Sequence, residues 1–408
     1  MAKTITCEHC GQNPVSHRAV RLEIFTDWLF APLFKPTDAI WQWIRPHLFK
    51  LPLERMAYLL MRSMVMLHLG KIIRTTDEHD SWRTRALWES AEKRGIRMER
   101  FQIFRFKDFR TLLIAHYQGE VRVFDGLPRP KGPPSHSIDW MDDKGTMREH
   151  FQIHSIPVAK GGKCTKLEEA LAIFKQVGPP VIIKPRTGSR SRHTTVHITD
   201  EKELTRAFYI AKELSPWVVV EEELKGFVFR ATIIGGKLIG VIRREPPHVV
   251  GDSKSTIDEL IQGENTNPDR QGPIFHRIVK NEETDRELAR QGLSFSSVPG
   301  TGEVVFLAQK VGRGSGGSTT ELTPKTHSQN IELFEKVGDI LKDPLVGIDF
   351  MIEDMERPWT EQHGSGVIEC NSLPFIDLHH YPLFGEPIDV AGALWELVFP
   401  GSSIVSKT

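Results

Sequence analysis

Residues 227 to 244 read FVFRATIIGGKLIGVIRR, two runs of alternating apolar residues on either side of Gly235-Gly236. A period of two marks a strand with one buried face, and a two-residue glycine turn suits a tight hairpin, so the middle of the chain must build antiparallel sheet. Arg230 lies inside one of these strands and the Arg243-Arg244 pair ends the other, cations placed to meet phosphate or carboxylate. Helix, strand and loop alternate around the hairpin. A helix is expected at about 142–153, IPVAKGG as a turn, KLEEALAIFKQVG as a helix stopped by glycine, and PPVIIKP and WVVVEEEL as strands. The expected fold class is α/β of the mixed α+β kind, with no internal repeat.

A chain of 408 residues should divide into two to four packed units. Residues 1–80 are rich in Trp and Phe and punctuated by proline, which predicts short helices joined by turns, with no evident role. Residues 25–70 offer an aromatic-rich surface for another subunit or a protein partner. The apolar run MAYLLMRSMVMLHLG at 56–70 is broken by Arg62 and His68 and is too short to span a bilayer, so it reads as a buried or interfacial helix. Residues 81–135 predict a small α/β domain. The Pro/Gly segment GLPRPKGPPSHS at 126–137 serves as linker, and residues 136–400 form the main body, split at 220/221.

Lys plus Arg and Asp plus Glu number 53 each, which removes any global electrostatic reason to expect nucleic acid or an anionic membrane as partner. Four cysteines are too few for a disulfide framework, and MAKTITCEHCGQ lacks the apolar core of a signal peptide, so a reducing, cytoplasmic setting is expected. Cys7 and Cys10, with His9 and His17 nearby, read as two ordinary reduced thiols or as half of a zinc site whose other ligands are not evident, Cys164 and Cys370 being remote.

The acidic residues near the end carry more chemistry. GIDFMIED supplies Asp349, and GVIECNSLPFIDLHHYP supplies Glu369 and Asn371. Strand periodicity turns 369 and 371 to one side and Cys370 to the other, so three hard oxygen donors can converge from two strand ends, as Mg²⁺ requires. Solvent-facing carboxylates are the alternative. Strand VIIKP delivers Lys184, and the loop RTGSRSRHTTVHI behind it holds a glycine, hydroxyls and the basic Arg190 and Arg192, able to clamp polyphosphate or merely to turn the chain.

Taken in order, these segments resemble the ATP-grasp ligases, and most of all the ATP-grasp part of cyanophycin synthetases. The resemblance runs from AEKRGI to ALWELVFP and includes DDKGTMREHFQIHSIPVAKG, PVIIKPRTGSRSR, VVVEEELKGFVFRATII, RREPPHVVGDSKST, NTNPDRQG, GSGGSTTELTPKTH, VGIDFMIEDMERP and GVIECNSLPFIDLHHYP. It implies an ATP-grasp fold and ATP with Mg²⁺, or Mn²⁺, as cofactors. Lys144 and Lys184 would bracket the phosphates, Ser189, Arg190 and Ser191 would form the flexible loop, and Glu221, Glu222, Glu223 and Leu224 would form the hinge beside adenine. Asp349, Glu369 and Asn371 would hold the metal. Arg230, Arg244, His248 and Asp252 would border the substrate cleft, and Phe375, His379 and His380 lie where the family contacts substrate.

The chain departs from that pattern in places. Val228 stands where the family usually has a carboxylate, Phe375 follows Pro374 where glycine is preferred, and LAQKVGRGSGG replaces an Arg-rich run, so that Lys310 or Arg313 takes over steadying the acyl phosphate. These changes imply an altered acceptor site. No GxxxxGKT P-loop is present, so the Mur-ligase-like domain of cyanophycin synthetases is not expected, nor is an alternating two-residue polymer made by this chain alone. The implied activity is amide formation between a small carboxylate and an amine. A noncatalytic nucleotide- or peptide-binding protein and a kinase on the same scaffold are the alternatives.

Overall fold

The computed structural model describes residues 7–10, 15–22, 24–26, 53–78, 80–103, 112–131, 137, 140–141, 143–186, 192–271, 274, 277–309, 311–313 and 316–404. A 3-10 turn at Glu8–Cys10 and helical residues from His17 come first. An antiparallel meander follows, built from β1 (Gly70–Ile73), β2 (Arg97–Ile103), β3 (Leu112–Tyr117) and β4 (Glu120–Phe124), with α1 (Leu53–Met66) and α2 (Trp82–Lys93). Next are α3 (Lys144–Ile153), β5 (Gly161–Cys164), α4 (Leu167–Val177), β6 (Val181–Pro185), β7 (Thr195–Ile198), α5 (Glu201–Lys212) and β8 (Val218–Glu222), whose strands pair in the order β5-β8-β6-β7.

The chain continues through β9 (Phe227–Ile234), β10 (Lys237–Glu245), β11 (His248–Val250), α6 (Ile257–Thr266), α7 (Glu282–Arg290), β12 (Val304–Phe306) and β13 (Ser318–Glu321). It ends with α8 (Ser328–Leu341), β14 (Leu345–Ile352), β15 (Gly366–Asn371), α9 (Asp377–His380) and α10 (Val390–Val398). The largest sheet runs β13-β10-β9-β14-β15, every neighbour antiparallel. The β9–β10 hairpin turns at Gly235 and Gly236, both with positive φ, which glycine adopts without steric cost.

Local chemistry explains the helix starts. Ser81, Asp143, Asp200 and Asn281 each accept a backbone N–H of the first turn, and Thr256 with Glu259 forms a reciprocal capping box. Packing then joins the pieces. The large sheet buries Phe229, Ala231, Ile233, Val241, Ile348 and Phe350 against Leu333, Phe334 and Val337 of α8, and Met147 and Phe151 of α3 belong to the same core. The β5–β8 sheet has its own core with α4 and α5.

The meander shares a third core with α10: Leu87, Trp88 and Ala91 pack with Val390, Leu394 and Trp395, and the Trp395 indole donates to the Leu87 carbonyl at 3.0 Å. A boundary at residue 80/81 does not follow this packing. β1 pairs with β2, and α1 lays Met61 on Phe101 and Ile114, so residues 53–73 belong with the meander. Their short apolar segments reach a partner only through strand pairing, which local pattern does not report.

The outer face of α1 exposes Met56, Leu59, Leu60 and Met66. The expected partner surface at 25–70 includes this face, while 27–52 lie outside the described residues. No helix among the described residues is long and apolar enough to cross a membrane.

Candidate active site

Register decides which side chains meet. Asp349 on β14 lies opposite Arg230 on β9 and opposite Glu369 on β15. Directly paired residues share a sheet face, so Arg230, Asp349 and Glu369 form one polar row, with Asn371 beside it and Arg244 of β10 on the same face. The alternate residues, Cys370 among them, enter the apolar core.

Cations flank the two adjacent carboxylates of the row. The Arg230 Nε donates to one Asp349 oxygen and the Arg244 guanidinium stands 3.5 Å from the other. Lys144, first residue of α3, places its Nζ 3.5 Å from Glu369, and the Asn371 amide donates to Glu369 at 3.4 Å. Burial pushes the Asp349 carboxyl up, but Arg230 and Arg244 outweigh it and hold the group below the usual carboxylate range. Burial lowers the Arg244 guanidinium, whereas Asp349 overcomes burial at Arg230 and raises it. The Arg230 Nη1 is buried without a hydrogen-bond partner. Gly347 makes room here: a Cβ on it would come 2.7 Å from Pro374 and 3.2 Å from that Nη1.

The β5–β8 sheet holds the second cluster. Lys184 on β6 and Glu221 on β8 are buried together as an ion pair. Glu222 accepts the Lys160 N–H at 2.7 Å, and the Glu223 N–H donates to the Pro180 carbonyl at 3.1 Å. Leu224 follows, buried. Arg186 grips the Asp143 carboxylate through Nε and Nη2 at 2.9 and 2.6 Å, and Asp143 caps α3. The residue two positions after the strand lysine is thereby tied to the turn that presents Lys144, a link that neither segment signals alone. Ser189, Arg190, Ser191 and Lys310 lie outside the described residues.

Other expected positions have defined surroundings. Arg313 is ion-paired with Asp377. Val228 lies between Arg244 and Met351 across the sheet, an aliphatic side chain beside a half-buried cation. His248 is half-buried at the start of β11, its Nδ1 3.0 Å from the Pro246 carbonyl. Asp252 shapes its own turn, accepting the Ser255 and Lys254 N–H groups at 2.7 and 2.9 Å, which lowers its carboxyl to about 2. Phe375 is exposed, with Arg83 5.8 Å above its ring.

His379, expected where the family contacts substrate, is enclosed by its neighbours. Its ring is fully buried, Nε2 2.9 Å from the Thr232 hydroxyl and Nδ1 2.8 Å from Glu321, and a Cβ on Gly240 would come within 2.6 Å of it. Both nitrogens are engaged, so the ring braces the end of the polar face.

His380 is also inside: its Nε2 accepts the Ala391 N–H at 2.9 Å. Burial depresses this imidazole to about 4. An unfolded histidine titrates near 6.5, so between roughly pH 6.5 and 4 only the unfolded chain takes the proton, and stability falls as pH drops through that window. Urea midpoints measured across it should fall less steeply in His380→Gln than in the parent; equal slopes would remove the assignment.

No family model matches the chain. Cyanophycin synthetase of Trichormus variabilis is 29% identical over 338 residues, covering 79% of this chain and 36% of that protein. The glutathione biosynthesis bifunctional protein GshAB of Clostridium perfringens is 28% identical over 266 residues, 64% of this chain and 34% of its own length. The chain thus spans about a third of the length of the curated relatives it matches. Among solved structures, a bifunctional glutathione synthetase from Pasteurella multocida superposes with a TM-score of 0.57 at 24% identity, covering 78% of this chain and 43% of that one. This is an ATP-grasp fold. The large ATP-grasp sheet carries the polar row, and the smaller β5–β8 sheet carries the Lys184–Glu221 pair.

Proposed function

We propose that the chain is an ATP- and Mg²⁺-dependent carboxylate–amine ligase that forms an amide through an acyl phosphate, acting on an amino acid, peptide or similar small metabolite. The observation that carries this reading is the row Arg230–Asp349–Glu369 flanked by Lys144 and Arg244, oxygen donors and cations side by side on one sheet face. Asp349, Glu369 and Asn371 are a hard-oxygen donor set that suits a divalent cation. Bound magnesium would supply positive charge to the phosphate oxygens of ATP.

The residues themselves do the positioning. Lys144 and Arg244, which face the carboxylates here, carry positive charge to the transferring phosphoryl oxygens, and Lys184 does so from the opposite sheet. Glu221 to Leu224 form the strand end that receives adenine. The orphaned Arg230 Nη1 and Arg313 favour the anionic substrate and its acyl phosphate. An amine then displaces phosphate, and no covalent enzyme nucleophile is required.

The test is incubation with ATP, Mg²⁺ and amino acids or dipeptides, singly and in pairs, followed by mass spectrometry. ADP and phosphate release that requires both substrates, with a product equal to their sum less water, is expected. A phosphorylated substrate would make the protein a kinase. Tight ATP binding without turnover on any acceptor would make it a binding protein.

A further inference from the structure

The pair Cys7 and Cys10 acquires two partners in the fold. The Cys7 and Cys10 sulfurs each lie 3.5 Å from the His193 Nε2, Cys10 lies 3.3 Å from the His17 Nε2, and the two imidazole Nε2 atoms are 3.1 Å apart. All four ligand atoms fall within 4.8 Å of one another. From these distances the geometry points to a structural zinc site of the Cys₂His₂ type, which pins the N-terminal segment onto the ATP-grasp body.

Distances make the case. A tetrahedral zinc with Zn–S of about 2.3 Å and Zn–N of about 2.05 Å has edges of about 3.6 Å between S and N and about 3.3 Å between N and N. The four separations given above match those edges to about 0.3 Å. Both cysteines are free thiols, and Cys10 and His193 are buried.

The surroundings orient the ligands as well. The His193 Nδ1 donates to the Ile210 carbonyl at 2.7 Å, which leaves Nε2 as the lone pair facing the sulfurs, the arrangement that metal-binding histidines use. The His193 N–H donates to the His9 carbonyl at 2.9 Å, and the Cys10 N–H to the Cys7 carbonyl at 3.2 Å, so the Cys-x-x-Cys turn and the histidine are locked together through backbone. His193 takes a left-handed φ of +52°, a conformation that costs energy in a non-glycine residue and is kept where surrounding contacts hold it. Four protein ligands close the coordination sphere, which fits a structural rather than a catalytic ion.

Position gives the site a consequence. His193 follows the basic segment 186–192, of which 187–191 lie outside the described residues, and stands two residues before β7; His17 opens a helical stretch near the N-terminus. Zinc would fix the backbone at His193 and hold residues 7–10 and 15–17 against the β5–β8 sheet.

The full chain, expressed in zinc-supplemented medium and purified without chelator, should contain about one zinc per chain by elemental analysis. Replacement by Co²⁺ should give the visible bands of a tetrahedral thiolate site. Cys10→Ser should lower metal content to below about a tenth of an ion per chain, while His17→Cys, which makes a Cys₃His set, should retain it and so control for folding. Less than about 0.2 metal ions in the parent together with no cobalt bands, or a Cys7–Cys10 disulfide in the fresh protein, overturns the proposal. The readout needs no nucleotide, so its outcome is independent of the ligase assignment.

Discussion

Asp349→Ala should cost about 3–5 kcal/mol of stability, because it leaves Arg230 buried and charged with no counter-ion. The guanidinium side chain is 3% exposed, so water cannot replace the carboxylate, and Arg244 loses its neighbour at the same time. A shift of this size should appear as a large drop in the urea midpoint at unchanged slope. The double variant Arg230→Met/Asp349→Leu removes both charges and keeps the volume apolar, so it should recover more than half of the loss. A single Asp349→Ala variant within about 1 kcal/mol of the parent would mean that the pair is solvated and that the polar row is not the buried network described above.

Glu369→Gln should separate chemistry from folding. The Glu369 side chain is 27% exposed and its ion pair with Lys144 is 3.5 Å long, so losing its charge should leave the urea midpoint within about 1 kcal/mol of the parent. Its role in catalysis should be far larger. Removing one charged donor from the phosphate-facing cluster should lower turnover by about 10²-fold or more, roughly 3 kcal/mol of transition-state stabilisation, and raise the Mg²⁺ concentration needed for half-maximal rate. Product formation at parental rate and parental Mg²⁺ dependence would sink the metal assignment.

Much of the scaffold was legible residue by residue. Leu167–Val177, Val181–Pro185 and the β9–β10 hairpin stand where periodicity and glycine punctuation put them. Cys370 turns inward while 369 and 371 flank the polar face, as alternation requires. The enclosure of His379 was not legible, because a histidine close behind an acidic strand looks the same in sequence whether it faces a cleft or a core. Only the packing over Gly240 and the pairing with Thr232 and Glu321 separate the two. The pairing of residues 70–73 with the meander was hidden for a related reason, since β1 is four residues long and has no identity until β2 pairs with it.

By itself the sequence determined the longer strands and their faces and the chemical kinds of residue available, because side-chain period is a local property of the backbone. Tertiary structure decided which of those residues meet. β14 pairs with β9 as well as with its sequence neighbour β15, bringing Asp349 beside Arg230 across 119 residues of chain. His193 joins His17 across 176, which converts half of a metal site into four converging ligands. Such contacts depend on strand register and on loop closure, and no window of sequence contains both of their ends.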